Sequence, residues 1–196
     1  MARPRKSNHA SVVEAAKHAF LRNGYAGTST RQIEECSGLT RFTLQTTYGG
    51  KFPFFLDVLA AYLDRAEVCF FPDPVTTDLE GLAIWFERLS DPDAMPKIGH
   101  KGCMLLSSID EFGRGESGID QQIDRYFAVI QDRFSQIIAN AVDQKEIDAD
   151  ASPQEKSALL ISLLLGISVA VRARTNDDGV LSYTSAAAAM IRGWQI

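Results

Sequence analysis

The segment of residues 28–51 constrains the fold of this chain more than any other. Its sequence, TSTRQIEECSGLTRFTLQTTYGGK, reads as two short helices joined by a tight turn. Ser29 and Gln32 have the spacing of a capping box, which predicts that the first helix begins at Thr30. Gly38 is expected to end this helix, because glycine readily adopts the left-handed backbone conformation of a helix C-terminus.

A second helix is predicted over residues 41–47, with Thr40 as its N-cap. Two helices joined by a glycine-containing turn form the helix-turn-helix pattern, whose second helix lies in the major groove of DNA. The side chains expected on its exposed face are Arg41, Phe42, Thr43, Gln45, Thr46 and Thr47. Threonine and glutamine hydrogen-bond base edges, and arginine reaches a guanine or a phosphate. The pattern predicts DNA binding, although small helical proteins without that function also contain two helices around a glycine.

The distribution of charge favours a nucleic-acid partner more than the total charge does. The formal net charge of the whole chain is −5. Residues 1–51 hold eight Lys or Arg and three Glu, whereas the other 145 residues hold 12 basic and 22 acidic side chains. A basic head on an acidic body suits a protein that presents one end to phosphates. A basic arm at residues 3–6 and Lys51 at a predicted helix start belong to this basic end.

Apolar residues recur at helical spacing along the rest of the chain, without the paired alternating patterns that indicate strands. Helices are predicted over residues 11–23, 51–70, 78–89, 102–112, 119–147 and 153–174, and around residues 186–194. Together with the two helices of the helix-turn-helix pattern, they predict an all-α fold of about nine helices.

Composition indicates a cytoplasmic protein. The three cysteines are odd in number and widely spaced, which is typical of a reducing cytosol rather than of a disulfide framework. The most apolar run, residues 158–171, contains two serines and is expected to be too short to cross a bilayer. The basic N-terminus is not followed by the apolar stretch of a signal peptide. No membrane partner is therefore expected.

The sequence provides no catalytic or metal-binding constellation. His9 and His18 lie in the basic head, and His100 has no assignable triad partner. His100 and Cys103 supply too few ligands for a metal site, so neither an enzyme nor a cofactor is expected.

The basic head also carries a fixed pattern of residues: Ala15, Ala16, Phe20, Gly24, Tyr25, Thr28, Ser29, Ile33, Gly38, Leu39, Thr40, Thr43, Leu44, Tyr48 and Lys51. This pattern resembles the DNA-binding domain of the TetR/AcrR family of bacterial repressors. The resemblance implies an all-helical homodimer that binds a double-stranded DNA operator and is released by an inducer. It implies a helix-turn-helix domain at residues 1–52 and a ligand-binding and dimerisation domain at residues 53–196.

The resemblance further implies roles for individual residues. Thr28, Thr40 and Lys51 match positions that contact phosphates, while Arg41, Phe42 and Thr43 match positions that face the groove. Ser29, Arg31 and Tyr48 complete the predicted DNA-binding set. Gln45 stands where the family usually has an aromatic residue. That departure leaves open an alternative function, a helical small-molecule-binding or redox-sensing protein that has lost DNA binding.

In this family the last two helices form half of a four-helix dimer interface. Here Ser162, Gly166 and Ala170 recur every four residues, a stripe that permits close helix approach, and Met190 and Trp194 lie on the last predicted helix. The alternative is a buried helix of a monomer, since the predicted helix is apolar nearly all round.

Cys103 is the candidate sensor. It follows Lys101 and Gly102 at a predicted helix start, where the helix dipole and a cation favour the reactive thiolate. This region is similar to a TetR subgroup that includes the repressor of N-ethylmaleimide reductase, which implies sensing of electrophiles or oxidants. The alternative is a small buried hydrophobe, and Cys36 and Cys69 are expected to be structural.

Four further residues complete the candidate ligand or sensor set: Trp85, Phe86, Ser107 and Tyr126. The aromatic members either line a small-molecule cavity or belong to the core. For each of these aromatic residues, the sequence does not distinguish cavity lining from core packing.

Overall fold

The computed structural model describes residues 9–91, 103–173 and 177–196 of the chain. The predicted basic arm, His100, Lys101 and Gly102 lie outside these residues. The described part contains nine helices and no strand: α1 His9–Asn23, α2 Thr30–Ser37, α3 Arg41–Tyr48, α4 Lys51–Cys69, α5 Leu79–Arg88, α6 Met104–Phe112, α7 Ser117–Asp143, α8 Pro153–Arg172 and α9 Asp177–Arg192. The predicted all-α fold is confirmed.

The chain forms two compact units. The N-terminal unit comprises Met1–Ala66 with Cys103–Asp124, and the C-terminal unit comprises Glu67–Gly102 with Arg125–Ile196. The division by compactness therefore falls within α4 and α7, whereas the predicted functional domains divide at residue 52.

The predicted caps of α2 and α3 are confirmed. The Ser29 hydroxyl accepts a hydrogen bond from the Gln32 backbone N–H at 3.2 Å, and the Gln32 side chain accepts one from the Ser29 N–H at 2.7 Å. The Thr40 hydroxyl accepts from the Thr43 N–H at 3.1 Å. Gly38 ends α2 with φ +72°. These local contacts fix the first turn of both helices.

An aromatic cluster holds α1 against α4 in the N-terminal unit. Phe20 of α1 packs edge-on against Phe55 of α4, with ring centroids 4.9 Å apart, and Phe54 lies beside them. All three rings are at most 2% exposed. Burying each ring contributes about 1.5–3 kcal/mol. Ile33, which is fully buried, attaches α2 to this core.

Helices α5 and α9 pack together in the C-terminal unit. Arg192 of α9 donates hydrogen bonds to Glu80 and to Glu87 of α5, each at 2.6 Å. These carboxylates raise the pKa of the guanidinium, Glu80 more than Glu87. Solvent screens these part-exposed groups, so the ion pairs are expected to contribute less to stability than the burial of apolar side chains in this unit.

The ends of α7 and α9 differ from prediction. Helix α7 ends at Asp143 rather than near residue 147, because Lys145 adopts a left-handed backbone conformation with φ +61°. Trp194 lies beyond the end of α9 rather than on it, in a turn that its N–H closes onto the Ile191 carbonyl at 3.1 Å.

Helix α8 is longer than the apolar run suggested. It spans 20 residues, and by length and composition alone it could cross a membrane. The expectation counted only the apolar run at residues 158–171, whereas the helix that contains this run also includes the residues on either side of it. Its buried face, which belongs to the core of the C-terminal unit, consists of Ser157, Leu160, Ile161, Leu164, Ile167 and Ala170.

Two glycines with the same backbone conformation provide a test of the N-terminal unit. Gly24 and Gly38 have φ near +72°, and a Cβ on Gly38 would have open space around it. A Cβ on Gly24 would overlap the carboxylate of Glu111. We expect Gly38→Ala to lower the free energy of unfolding by about 1–2 kcal/mol through backbone strain alone.

Gly24→Ala should lower the free energy of unfolding by roughly 1 kcal/mol more than Gly38→Ala does, because the Glu111 carboxylate must give up its hydrogen bonds. Urea unfolding at fixed protein concentration measures both effects. In a Glu111→Ala background the two glycine variants should be equally destabilised. An unchanged difference there would rule out Glu111 as its cause.

Candidate nucleic-acid interface and ligand-binding elements

Helix α3 presents a polar and aromatic surface around one buried anchor. Leu44, which is 2% exposed, holds the helix against the core. Arg41, Gln45 and Thr46 are exposed, and Phe42 is 76% exposed. This orientation agrees with the sequence prediction, and it leaves the outer face of the helix free to meet a ligand.

The hydroxyl groups of Thr40, Thr43 and Thr46 have partners within the protein. The Thr40 hydroxyl caps the helix, and its oxygen also lies 3.0 Å from the hydroxyl oxygen of Thr43. The Thr46 hydroxyl donates to the Phe42 carbonyl at 2.9 Å. Thr43 is half-buried, so it is less available than its exposed neighbours.

Thr28 does not lie on the surface. Its side chain is fully buried, and its hydroxyl donates to the Gly24 carbonyl at 2.7 Å. The hydroxyl joins the end of α1 to the start of α2 and is not available to a phosphate, so the contact implied for Thr28 stays a prediction without a side-chain group to make it. By contrast, Ser29 is exposed, and so is Arg31, which pairs with Glu35 at 2.8 Å.

Lys51 and Tyr48 lie at the junction of α3 and α4. Lys51 is the first residue of α4, and its ammonium group lies 4.1 Å from the centre of the Tyr25 ring. Burial lowers the pKa of Lys51, and the Glu111 carboxylate opposes that shift. The Tyr48 ring packs on Phe54, with centroids 4.8 Å apart, so Tyr48 also supports the fold.

Glu111 is a residue that sequence reasoning did not single out for a role. It lies near the end of α6, and its carboxylate accepts hydrogen bonds from the Tyr25 N–H at 2.8 Å and the Ala26 N–H at 2.6 Å. Next to it, the Phe112 ring packs on Tyr25, with centroids 5.1 Å apart. Helix α6 thereby holds the turn between α1 and α2. No sequence pattern predicts this contact, which joins residues 85 and 86 positions apart.

The candidate sensor residues fall in both units. Cys103 and Ser107 belong to the N-terminal unit, whereas Trp85, Phe86 and Tyr126 belong to the C-terminal unit. Cys103 is half-buried and precedes α6 as its N-cap residue. Its carbonyl accepts a hydrogen bond from the buried Ser107 hydroxyl at 3.1 Å.

The aromatic candidates of the C-terminal unit pack against other rings. Trp85 contacts Phe86 and Phe134, with centroids 5.1 and 5.9 Å apart, and its indole N–H donates to the Phe70 carbonyl at 2.8 Å. Phe86 is fully buried, and Tyr126 is 5% exposed. This packing favours the core interpretation that the sequence left open.

A cavity of about 180 Å³ lies elsewhere in the C-terminal unit. Its lining consists of Val75, Thr76, Thr77, Asp78, Ile137, Asn140, Ala141, Gln144 and Glu146. None of the residues predicted to bind a ligand is among them.

Two of the cysteines differ from expectation. Cys36 and Cys69 are exposed, so their assignment as structural residues is wrong. Cys36 belongs to α2, and burial of part of its side chain raises the pKa of its thiol. Among the described residues no group of three or more His, Cys, Asp or Glu could hold a metal ion.

Helices α8 and α9 expose apolar side chains. Leu159 and Val169 of α8 are 44% and 59% exposed, and Leu181 and Tyr183 of α9 are 54% and 53% exposed. Gly166 is also exposed, with open space where a Cβ would lie. We call this surface the α8–α9 face.

The predicted interface residues occupy different environments. Ser162 is exposed, whereas Ala170 is 8% exposed and faces the core of its own unit. Met190 and Trp194 are half-buried. The Trp194 ring carries the Lys156 ammonium group 4.0 Å from its centre, and partial burial lowers the pKa of Lys156.

An all-helical chain with this N-terminal unit falls in the structural class of helix-turn-helix proteins. Residues 82–188 match the family described as tetracyclin repressor-like, C-terminal domain. This match spans more than half of the chain, so the chain belongs to the tetracyclin repressor-like, or TetR, family. The predicted family is confirmed.

Relatives and solved structures agree with this assignment. An uncharacterized HTH-type transcriptional regulator, YezE of Bacillus subtilis strain 168, is 26% identical over an alignment of 156 residues, with 76% of this chain and 78% of the relative covered. A TetR-family regulator from Cytophaga hutchinsonii superposes with a TM-score of 0.84 at 16% identity, covering 100% of this chain and 99% of the other.

Two further structures share the fold. The TetR-family regulator CifR, as a cysteine mutant complexed with 26-bp operator DNA, has a TM-score of 0.71 at 21% identity, with 98% of this chain and 100% of the other covered. The reduced form of Escherichia coli NemR has a TM-score of 0.72 at 12% identity, with 96% of each chain covered. At these identities the likeness shows the fold alone.

Proposed function

We propose that this chain is a cytoplasmic DNA-binding repressor of the TetR type without catalytic activity. The observation that carries the proposal is α3, a capped helix with an exposed polar and aromatic face in the basic part of the chain. Such a helix fits the major groove of DNA, where its N-terminal residues meet base edges. The operator complex of CifR, a protein of the same fold, supports this assignment.

The proposed contacts divide into two kinds. Arg41, Phe42 and Gln45 face the bases, because they are exposed on the outer side of α3. Lys51, at the N-terminus of α4, binds a phosphate together with the free N–H groups there. Phosphate contacts supply most of the affinity, and base contacts supply the sequence preference.

We infer that the protein acts as a homodimer through the α8–α9 face. Exposed apolar side chains on two adjacent helices are typical of a surface that a partner covers. The open space at Gly166 lets a second helix approach closely. Two copies of α3 would then read half-sites separated by a helical turn of DNA or a multiple of it.

Release from DNA is proposed to proceed through α6. Cys103 precedes this helix, and Glu111 and Phe112 near its end hold the α1–α2 turn. A nine-residue helix is about 13 Å long and moves as one body, so a small molecule or a modified Cys103 at its start can shift the turn. A coupling of about 1–3 kcal/mol changes DNA affinity by roughly 5–150-fold.

The second candidate function is a helical ligand-binding or redox-sensing protein without DNA binding. Gln45 favours it, because an exposed amide stands where the family usually carries an aromatic side chain. Selection of a preferred sequence from random duplex DNA distinguishes the two functions. Absence of any selected sequence would support the second.

Lys51→Ala tests the phosphate contact. We expect affinity for the selected operator to fall steeply with salt, and the substitution to reduce the slope of log K against log salt by about one per bound protomer. Affinity should drop by a similar factor for every DNA sequence. Arg88→Ala, which removes an exposed cation of α5, should change neither quantity. Equal slopes for the Lys51 variant and the wild type would remove Lys51 from the interface.

Gly166→Leu tests the dimer. The added side chain should separate the two copies, since overpacking commonly costs about 1–3 kcal/mol, and operator binding should be lost with the dimer. Sedimentation velocity at micromolar concentration and a gel shift measure the two effects. Ala128→Leu on α7 is the control, because it places a leucine side chain at another exposed helical position. A wild-type protein that sediments as a monomer contradicts the proposal.

The three cysteines test the proposed sensor. We expect N-ethylmaleimide to release wild-type protein and a Cys36→Ser, Cys69→Ser double variant from operator DNA, because both retain Cys103 at the start of α6. A Cys103→Ser variant should stay bound, as measured by gel shift with mass mapping of the labelled peptides. Release of that variant at the wild-type reagent concentration would leave Cys103 as a packing residue.

A further inference from the structure

Phe42 is an apolar ring on an otherwise polar helix. It is the second residue of α3, and 76% of its surface is exposed. The other aromatic residue of this helix, Tyr48, packs on Phe54. Since the fold of the chain leaves the Phe42 side chain outside its core, the ring is available to an external partner.

The neighbouring hydroxyl group makes this part of α3 more apolar than its sequence suggests. Thr46 lies one turn after Phe42, and its hydroxyl donates to the Phe42 carbonyl at 2.9 Å. With the hydroxyl directed to the helix backbone, the methyl group is what exposed Thr46 offers to a ligand. Phe42 and Thr46 together form a small apolar surface on the outer side of α3, which we call the Phe42 surface.

The major groove of DNA contains one apolar group at its base edges, the C5-methyl group of thymine. The other groups there are hydrogen-bond donors and acceptors, which an aromatic ring cannot satisfy. In helix-turn-helix proteins the N-terminal residues of the second helix meet the base edges, and Phe42 is in that position. An apolar surface at this place therefore matches a single feature of the DNA.

We propose that the Phe42 surface recognises a thymine methyl group in each operator half-site, and that this contact sets the sequence preference at that base pair. The inference rests on the proposed function, because it requires α3 to lie in the major groove. Arg41 and Gln45, the exposed hydrogen-bonding side chains beside it, then read adjacent base pairs.

The test removes the methyl group alone. An operator is first selected from random duplex DNA with the full-length protein, and each thymine in a half-site is replaced in turn by deoxyuridine. At one position the replacement should weaken wild-type binding about fourfold, and about 15-fold when both half-sites carry it, as expected for one methyl group per site. An operator with a 5-methylcytosine·guanine pair at that position should bind the protein more tightly than an operator with an unmethylated cytosine·guanine pair there.

Variants of Phe42 assign the effect to this residue. Phe42→Ala should bind thymine and deoxyuridine operators equally, whereas Phe42→Leu, which keeps an apolar side chain, should retain most of the discrimination. Thermal unfolding should be unchanged in both, because the side chain is mostly exposed. Deoxyuridine at thymines outside the recognition position is the matched DNA control.

The outcomes separate this inference from the function on which it rests. Specific binding that is indifferent to deoxyuridine at every half-site position overturns the inference and leaves the proposed function intact. Equal methyl discrimination by wild type and Phe42→Ala overturns it as well, because another residue then reads the methyl group. If no DNA sequence is selected, the proposed function fails, and the inference fails with it.

Discussion

The position of α3 depends on hydrogen bonds to the free backbone N–H groups at the start of α2 and of α3, two helices of eight residues each. Isolated helices of that length are marginal in water, because the first turn fixes several residues for one hydrogen bond. Ser29 and Thr40 each accept one of these N–H groups, and Ile33 and Leu44 anchor the inner faces. The orientation of the surface proposed to meet DNA is therefore set by two helix caps and two buried anchors.

A second constraint ties the head to a helix distant in sequence. The Glu111 carboxylate accepts two N–H groups from the α1–α2 turn, and Gly24 leaves the space that this approach requires. A carboxylate and a positive-φ glycine thus depend on each other. The same contact that satisfies exposed backbone N–H groups also gives α6 a direct mechanical connection to the helix-turn-helix. Stability and the proposed release mechanism use the same hydrogen bonds.

Two exposed apolar surfaces among the described residues suit the two different partners proposed above. The α8–α9 face offers side chains from two helices around an open glycine, a breadth that suits another protein surface. Phe42 offers one ring flanked by arginine and polar residues, which suits a small apolar group within a polar surface. The extent of the surface and the polarity around it, rather than exposure alone, decide which kind of partner fits.

The sequence by itself determined the elements whose causes are local. The Ser29–Gln32 capping box, the glycine after α2 and the apolar spacing of α3 lie within a few residues, so helix starts and the family pattern could be predicted. Tertiary structure decided what depends on distant neighbours. Thr28 is buried at the α1–α2 junction, and Glu111 accepts a hydrogen bond from Ala26, 85 positions away in the sequence. Burial and long-range hydrogen bonds depend on which helices meet in space, and helical periodicity specifies a face without specifying what covers it.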